Sequence, residues 1–335
     1  MTSTIDVIRG ATVESRHRVS AAAVDAAGRL AAWTGDPELV TYWRSCAKPF
    51  QAVPLITDGA AHALGVSDAE VALACASHNG EARHVEVAEG LLAKAGCTEA
   101  DLACGAHSSL QPSVARAMAE RGEKPRRIHS NCSGKHAAML AQARHRGWPT
   151  EGYRLAEHPV QRRALAEVAA WTDVAADRIG QGVDGCGVVS FALPLRNMAL
   201  AYARLGMGAP PGPEAPARAK AADRILAAIT ADPFLIAGTD RLCTAVVAAT
   251  GGRVIAKIGA DGVYCAVLRD AGLGLALKVE DGDGDSARPA LLAALEQLAP
   301  GVVRVAEPFH RPVIRNTLGE TVGRFEARVA LERGR

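Results

Sequence analysis

The sequence predicts an α/β (α+β) protein: an antiparallel sheet flanked by helices, with a helical subdomain. Three features carry this expectation. Strand-like text stands at both ends of the chain, helical text fills the middle, and three apolar runs near residue 260 are separated by glycine turns. The 335 residues are expected to form one catalytic unit, with a sheet portion at about 1–60 and 240–335 and a largely helical portion at about 61–239.

Residues 4–9, 18–25 and 30–33 alternate or carry branched side chains, and Asp25-Ala-Ala-Gly28 supplies a turn between the last two. Helical text follows. Ser67-Asp-Ala-Glu70 is a capping-box pattern before Val71, Leu73 and Ala74. Residues 81–95 place Val85, Ala88, Leu91 and Leu92 at helical spacing and stop at Gly96. A helix is expected over 133–146, and others over 158–171, 193–205 and 217–230. The proline-rich stretch 208–216 cannot continue a helix, because its prolines lack donors and clash with the preceding turn. Runs 253–258, 263–269 and 273–279, punctuated by Gly251-Gly252, Asp261-Gly262 and Ala271-Gly272, predict an antiparallel meander. A helix over 286–298 and a strand near 321–329 finish the chain, so one sheet is expected to be closed by distant segments. Asp281-Gly-Asp-Gly-Asp285 resembles a calcium loop, but Leu292 stands where the bidentate Glu belongs. It is read as a turn into the last helix, with Pro289 in the first turn.

Composition narrows the function. Apolar residues make up 49% and charged residues 22%, enough to bury a core. A net charge of +2 and 4% aromatics argue against nucleic-acid binding, which needs a basic face and stacking platforms. No apolar run approaches the roughly 20 residues of a membrane span. The first residues show neither a basic leader nor an apolar h-region, so a cytoplasmic location is expected. The eight cysteines contain no Cys-x-x-Cys, which excludes a local zinc ribbon or thioredoxin motif. Most are expected to be small buried hydrophobes.

The sharpest chemical feature is Arg44-Ser-Cys-Ala-Lys-Pro-Phe50. Ser45 and Lys48 are three apart, which on a helix puts hydroxyl and amine on one face. Lysine serves as a base only when neutral, at a cost of about 4 to 5 kcal/mol at pH 7 that burial and a second cation must offset. Alone, the motif reads as solvated helix surface, since Ser-x-x-Lys occurs often by chance. Ala76-Ser-His-Asn79 and Lys257-Ile-Gly259 add a Ser-x-Asn at a loop and a Lys-x-Gly at a strand end. In order, the three match the pattern of penicillin-recognising serine enzymes, although Ser77 also reads as a turn residue and Lys257 as an exposed strand end. A third constellation joins Ser130-Asn-Cys-Ser-Gly-Lys-His136, at a helix start, with Gly182-Val-Asp-Gly-Cys-Gly187. Gly134 and Lys135 there resemble an anion cradle, and a capped helix packing Cys132 inward is the alternative.

Segments 44–51, 77–80, 131–136, 183–187 and 257–262 together resemble the asparaginase family typified by the inducible rhizobial enzyme. Val13-Glu-Ser-Arg-His17, Asp281-Gly and Arg315-Asn-Thr resemble it too, so the likeness spans nearly the whole chain. This family is distinct from the threonine-nucleophile bacterial asparaginases and from the N-terminal-threonine plant type. The resemblance implies a fold similar to serine β-lactamases and serine-lysine glutaminases, a homodimer, and hydrolysis of L-asparagine to L-aspartate and ammonia. It implies two serine-lysine tandems, Ser45 with Lys48 and Ser77 with Lys257, and a zinc ion held by Cys132, Lys135 and Cys186 with water as fourth ligand. Arg44, His136 and Asp184 would line the substrate site.

In the expected mechanism, neutral Lys48 takes the proton of Ser45 as it attacks the side-chain amide, and Ser77, poised by Lys257, relays a proton to ammonia. The zinc would position substrate rather than activate water. The alternatives are a penicillin-recognising peptidase or esterase, and a zinc-dependent amino-acid sensor without turnover.

Overall fold

The computed structural model describes residues 2–334. The chain divides into two compact units. One comprises the residues up to Cys46, Leu193–Gly208 and everything from Val246 on; the other comprises Ala47–Ala192 and Ala209–Ala245.

The first unit is built on an antiparallel sheet, nine-stranded among the described residues. Its strands are β1 (Thr4–Arg9), β2 (Thr12–Asp25), β3 (Leu30–Thr34), β4 (Val254–Ile258), β5 (Val263–Leu268), β6 (Leu273–Val279), β7 (Val313–Arg315), β8 (Thr321–Arg328) and β9 (Glu332–Arg333). The order is β7-β8-β1-β2-β6-β5-β4, with β3 pairing both β2 and β9. The two ends of the chain meet here: Thr4 lies opposite Arg328 and Arg9 opposite Gly323. The meander expected around residue 260 is present, with Lys257 opposite Cys265 and Tyr264 opposite Leu277. Strand β5 is buried along its whole length, which requires cover on both faces and accounts for its unbroken apolar text. Strand β2 begins six residues earlier than its apolar text, because Thr12 to Arg18 pair with β1 through the backbone while their side chains stay largely exposed.

The helix Leu195–Met207 lies against this sheet. The approach is so close that a Cβ on Gly274 would stand 2.0 Å from the Ala199 carbonyl oxygen, so only glycine fits there. The last helix, Gly284–Leu298, starts where Asp283 accepts the Ser286 amide. Pro289 therefore sits beyond the first turn, later than the sequence reading places it, and the aspartates before it act as a cap.

The second unit is mostly helical. Its central helix, Ser133–His145, is buried on all sides from Ser133 to Ala143. Alanines and glycine along that stretch let neighbouring helices approach, and its buried polar side chains, Ser133, Lys135, His136 and Gln142, each meet a polar partner. The helices Lys48–Thr57, Asp68–Ala74 and Ala82–Lys94 pack against it. The predicted capping box is formed at Asp68–Ala74, with Ser67 accepting from the Glu70 amide and Glu70 from the Ser67 amide. The helix Pro112–Glu120 goes beyond the sequence reading, since its text is short and mostly exposed. A hairpin of Gly180–Val183 with Val189–Pro194 carries the turn that holds Asp184 and Cys186.

Candidate active site

Three segments of the helical unit present the chemistry there. The chain enters through a 3-10 turn, Arg44–Ala47, and Lys48 opens the helix that follows, Lys48–Thr57. Pro49 is tolerated because first-turn amides have no intrahelical partner. After the helix Asp68–Ala74 the chain runs extended, tied down by the Ser77 amide to Ile236 O at 3.0 Å and the Asn79 amide to Ala237 O at 2.9 Å. Gly80 ends this run with φ at +72°, and a Cβ there would meet the His129 carbonyl oxygen at 2.6 Å. The third segment is the N-terminus of Ser133–His145, with Cys132 as its cap residue.

Lys48 is fully buried, and Ser77 is 2% exposed. The amine reaches Ala76 O at 2.5 Å, Ser77 Oγ at 3.0 Å and Asn131 O at 3.2 Å. Two of these partners are carbonyls, which only accept. The hydroxyl alone can reverse its role. A neutral Lys48 would thus donate to the two carbonyls and turn its lone pair to the Ser77 proton. The hydroxyl partner of this amine is Ser77, whereas the sequence reading pairs Lys48 with Ser45.

Cys132, Lys135 and Cys186 also come together. Lys135 Nζ donates to Cys186 Sγ at 3.1 Å. The Cys132 thiol is pushed up to about 12 by its hydrogen bond to Cys186 and by burial. The same bond, helped by the Lys135 charge, brings Cys186 down to about 5. Burial works against charge on Lys135, but Cys186 and Cys132 outweigh it and the ammonium is favoured. The site thus holds a thiolate, a thiol and an ammonium. Among the described residues no three His, Cys, Asp or Glu side chains are grouped to hold a metal; here the third donor is a lysine. Once deprotonated, two thiolates and an amine are donors that suit zinc, with a fourth tetrahedral position left open. Asp184 lies in the same turn, half-buried, with its carboxylate taking the Gly185 amide at 2.8 Å.

His136 is buried beside this group. Its Nδ1 stands 2.6 Å from the Tyr153 hydroxyl, which itself accepts the Ala103 amide at 2.9 Å. With the phenol donating to Nδ1, the proton of the neutral ring sits on Nε2. Burial, then the Lys135 charge, holds His136 down to about 3, so the ring stays neutral. Its Nε2 is buried and has no hydrogen-bond partner among the described residues. A donor in that state suits an oxygen of a bound ligand.

The sheet unit holds the remaining residues singled out by sequence. Ser45 is half-buried on its 3-10 turn. Arg44 has φ at +52° and forms an ion pair with Asp261, whose φ is +53°. Both sit in the left-handed region that non-glycine residues rarely occupy, and Lys278 donates to the Asp261 carbonyl. Lys257 is buried on β4 with its amine 2.8 Å from Ile258 O, so it is not an exposed strand end. The Cys46 thiol donates to Lys257 O at 3.0 Å, fixing the Ser45 turn to that strand.

Sequence reasoning gave no role to His107. Its Nε2 receives the Asn131 amide at 2.9 Å, on the same residue whose carbonyl takes Lys48. No local pattern around His107 points there; only the fold shows it. His78, which sequence reasoning left pointing away, is buried, accepts the Gly80 amide at 3.1 Å and stacks on His84.

Comparison with known proteins gives the following. A family model described as L-asparaginase II matches residues 5–327. A search of curated proteins finds no match. Among solved structures, Mglu in its native form is 15% identical, with a TM-score of 0.48, over 84% of this chain and 64% of that one. The chain thus spans less than two thirds of Mglu's length. A β-lactamase from Mycobacterium bovis is 17% identical, with a TM-score of 0.44, over 83% of this chain and 94% of that one. A putative β-lactamase from Bacteroides dorei is 12% identical, with a TM-score of 0.38, over 82% and 84%.

Proposed function

The chain belongs to the L-asparaginase II family, and from that premise we propose that it hydrolyses the side-chain amide of L-asparagine, giving L-aspartate and ammonia through a serine acyl-enzyme. Membership supports an amidohydrolase; the substrate and the route are our reading. One observation carries it: a buried lysine whose one reversible hydrogen-bond partner among the described residues is a serine hydroxyl.

Ser45 is the attacking alcohol in this proposal. Ser77 is all but sealed from solvent, whereas Ser45 is half-buried and so open to a substrate amide. Lys48 and Ser77 form the pair that takes up the proton of the attacking alcohol and returns it to the departing ammonia. Water then cleaves the ester, with the same pair receiving its proton. Lys257 enters from its place in a matched motif, as the lysine of the second proposed tandem, with Ser77. Arg44, His136 and Asp184 are assigned to substrate, with the unpartnered His136 Nε2 as donor to an oxygen.

Cys132, Lys135 and Cys186 would hold a zinc ion. When bound, its chemistry is to attract and orient polar atoms of the substrate. Homodimer assembly and a cytoplasmic setting belong to the same proposal. Among the described residues no helix is long and apolar enough to cross a membrane.

The test is ammonia release from L-asparagine by the wild type and Ser45→Ala, with mass spectrometry of quenched reactions. Turnover with an aspartyl adduct on Ser45, and loss of both in the variant, is the expected result. Ser45→Ala turning over at the wild-type rate would remove the nucleophile. Stable acylation of the wild type by a labelled penicillin, without ammonia release, would favour a penicillin-recognising enzyme.

A further inference from the structure

The segment between Cys104 and Gln111 has no regular secondary structure, yet it is bonded to two of the segments that surround the Lys48 amine. On one side, His107 Nε2 lies 2.9 Å from the Asn131 amide nitrogen. On the other, Ser109 Oγ donates to the Asn79 carbonyl at 2.5 Å, two residues past Ser77. Gln111 secures the end of the segment, its amide donating to Ser109 Oγ at 3.2 Å and its side chain to Asp240 at 3.1 Å.

The backbone partners set the tautomer of the imidazole, although Asn131 Oδ1, which only accepts, also stands 3.3 Å from Nε2. A backbone N–H only donates, so Nε2 must accept from Asn131. Nδ1 stands 2.7 Å from Ser108 O, which only accepts, so Nδ1 carries the proton. Asn131 is therefore held on both sides, at the N–H of the 130–131 peptide and at the carbonyl of the 131–132 peptide. Its N–H is fixed by His107, and its carbonyl serves Lys48 at 3.2 Å and the His78 amide at 3.4 Å. Of the acceptors that orient the Lys48 amine, Ala76 O and Ser77 Oγ belong to the extended segment clipped by Ser109, and Asn131 O to the residue whose N–H is clipped by His107.

We propose that His107 and Ser109 are positioning residues: the 104–111 segment clips the Asn131 backbone and the extended Ser77–Asn79 segment together, so that the Lys48 amine keeps both carbonyls and presents its remaining site to Ser77. This rests on the reading of Lys48 as the base. Loss of the His107 bond would free the φ and ψ of Asn131, so that its carbonyl could swing and let the amine turn away from the hydroxyl, and an error of about 1 Å in such a site costs roughly a hundredfold in rate. Neither residue need touch substrate, so the effect should fall on kcat rather than KM.

The experiment compares the full-length wild type with His107→Ala, His107→Gln and Ser109→Ala. Gln can place an acceptor oxygen near the position of Nε2, and free imidazole can refill the space left by alanine. Two readouts are taken: kcat and KM for ammonia release from L-asparagine, and amide hydrogen exchange of residues 128–135. His107→Ala is expected to lose at least tenfold in kcat with KM within twofold, and to exchange faster at 128–135. Imidazole should recover kcat, and His107→Gln should retain both properties. Unchanged kcat or unchanged exchange in a folded His107→Ala overturns the proposal. So does a loss that His107→Gln shares and imidazole does not relieve, because that pattern marks a merely structural side chain. If the wild type releases no ammonia, the substrate reading fails on its own account. The exchange arm then decides the clip: faster exchange restored by imidazole supports it, and unchanged exchange overturns it.

Discussion

Lys48 and Ser77, 29 residues apart in the chain, share a 3.0 Å hydrogen bond in a place closed to solvent. The other two acceptors of the amine are carbonyls from Ala76 and Asn131, so three N–H donors meet three acceptors and the ammonium is fully satisfied. Moving one proton from the hydroxyl to a neutral amine changes the direction of a single hydrogen bond and leaves the other two intact. That small reorganisation is what a proton-transfer pair requires.

Lys48→Met should abolish the proton transfer while filling much of the same space. Ammonia release is expected to fall by about 10²- to 10⁴-fold, the usual worth of a general base. Far-ultraviolet circular dichroism should show an unchanged fold. A variant within threefold of wild type would rule out Lys48 as the base.

Acid should destabilise the protein in a window set by its buried histidines. His84, stacked between His78 and Phe234, is brought down to about 4 by burial. A depressed histidine contributes stability that is complete above its unfolded value near 6.5 and is lost as pH falls toward the folded value, because only the unfolded chain takes up the proton. Urea unfolding at pH 7.5 and pH 4 should show wild type losing more than His84→Phe, by about 3 kcal/mol. Equal losses in the two proteins would contradict this account of His84.

Cys186 should be the most readily alkylated of the eight cysteines in metal-free protein. It is the one that is not buried, and its thiolate is favoured at neutral pH. Iodoacetamide labelling mapped by mass spectrometry should find it first, and added zinc should protect it. Elemental analysis should find about one zinc per chain, and none in Cys186→Ser. Labelling indifferent to zinc would count against the three-ligand site.

Glu167 offers a change confined to stability. It is fully buried, and its carboxylate is held by Arg218 at 2.9 and 3.1 Å, by the Trp171 indole at 2.9 Å and by Arg163. Glu167→Ala leaves Arg163 paired with Asp58 and Arg218 with Glu214, and the loss of the buried charge-assisted hydrogen bonds should cost about 1.5–3 kcal/mol in denaturant unfolding. The kcat of the fraction that stays folded should not change. A loss below 1 kcal/mol would show that water or rearrangement compensates the arginines.

Local features were legible where the chemistry is local. Ser67 and Glu70 announce their capping box because cap and helix are neighbours in the chain, and the glycine pairs of the meander specify turns through their own dihedral freedom. The helix Leu242–Thr250 escaped because Ala-Val-Val-Ala-Ala-Thr reads as well for a strand. His107 escaped because neither neighbour in the sequence explains it.

Residue types in order determined which groups this protein has to work with: a serine and lysine three apart, a second serine, a second lysine, and a cysteine-lysine-cysteine set. Covalent spacing and local propensity suffice for that. Tertiary structure alone decided that Lys48 faces Ser77, that a thiolate at Cys186 sits against the Lys135 ammonium, and that His107 holds the Asn131 peptide. An amine takes whichever acceptors the fold brings within 3 Å or so, and here they arrive from segments 28 and 83 residues away.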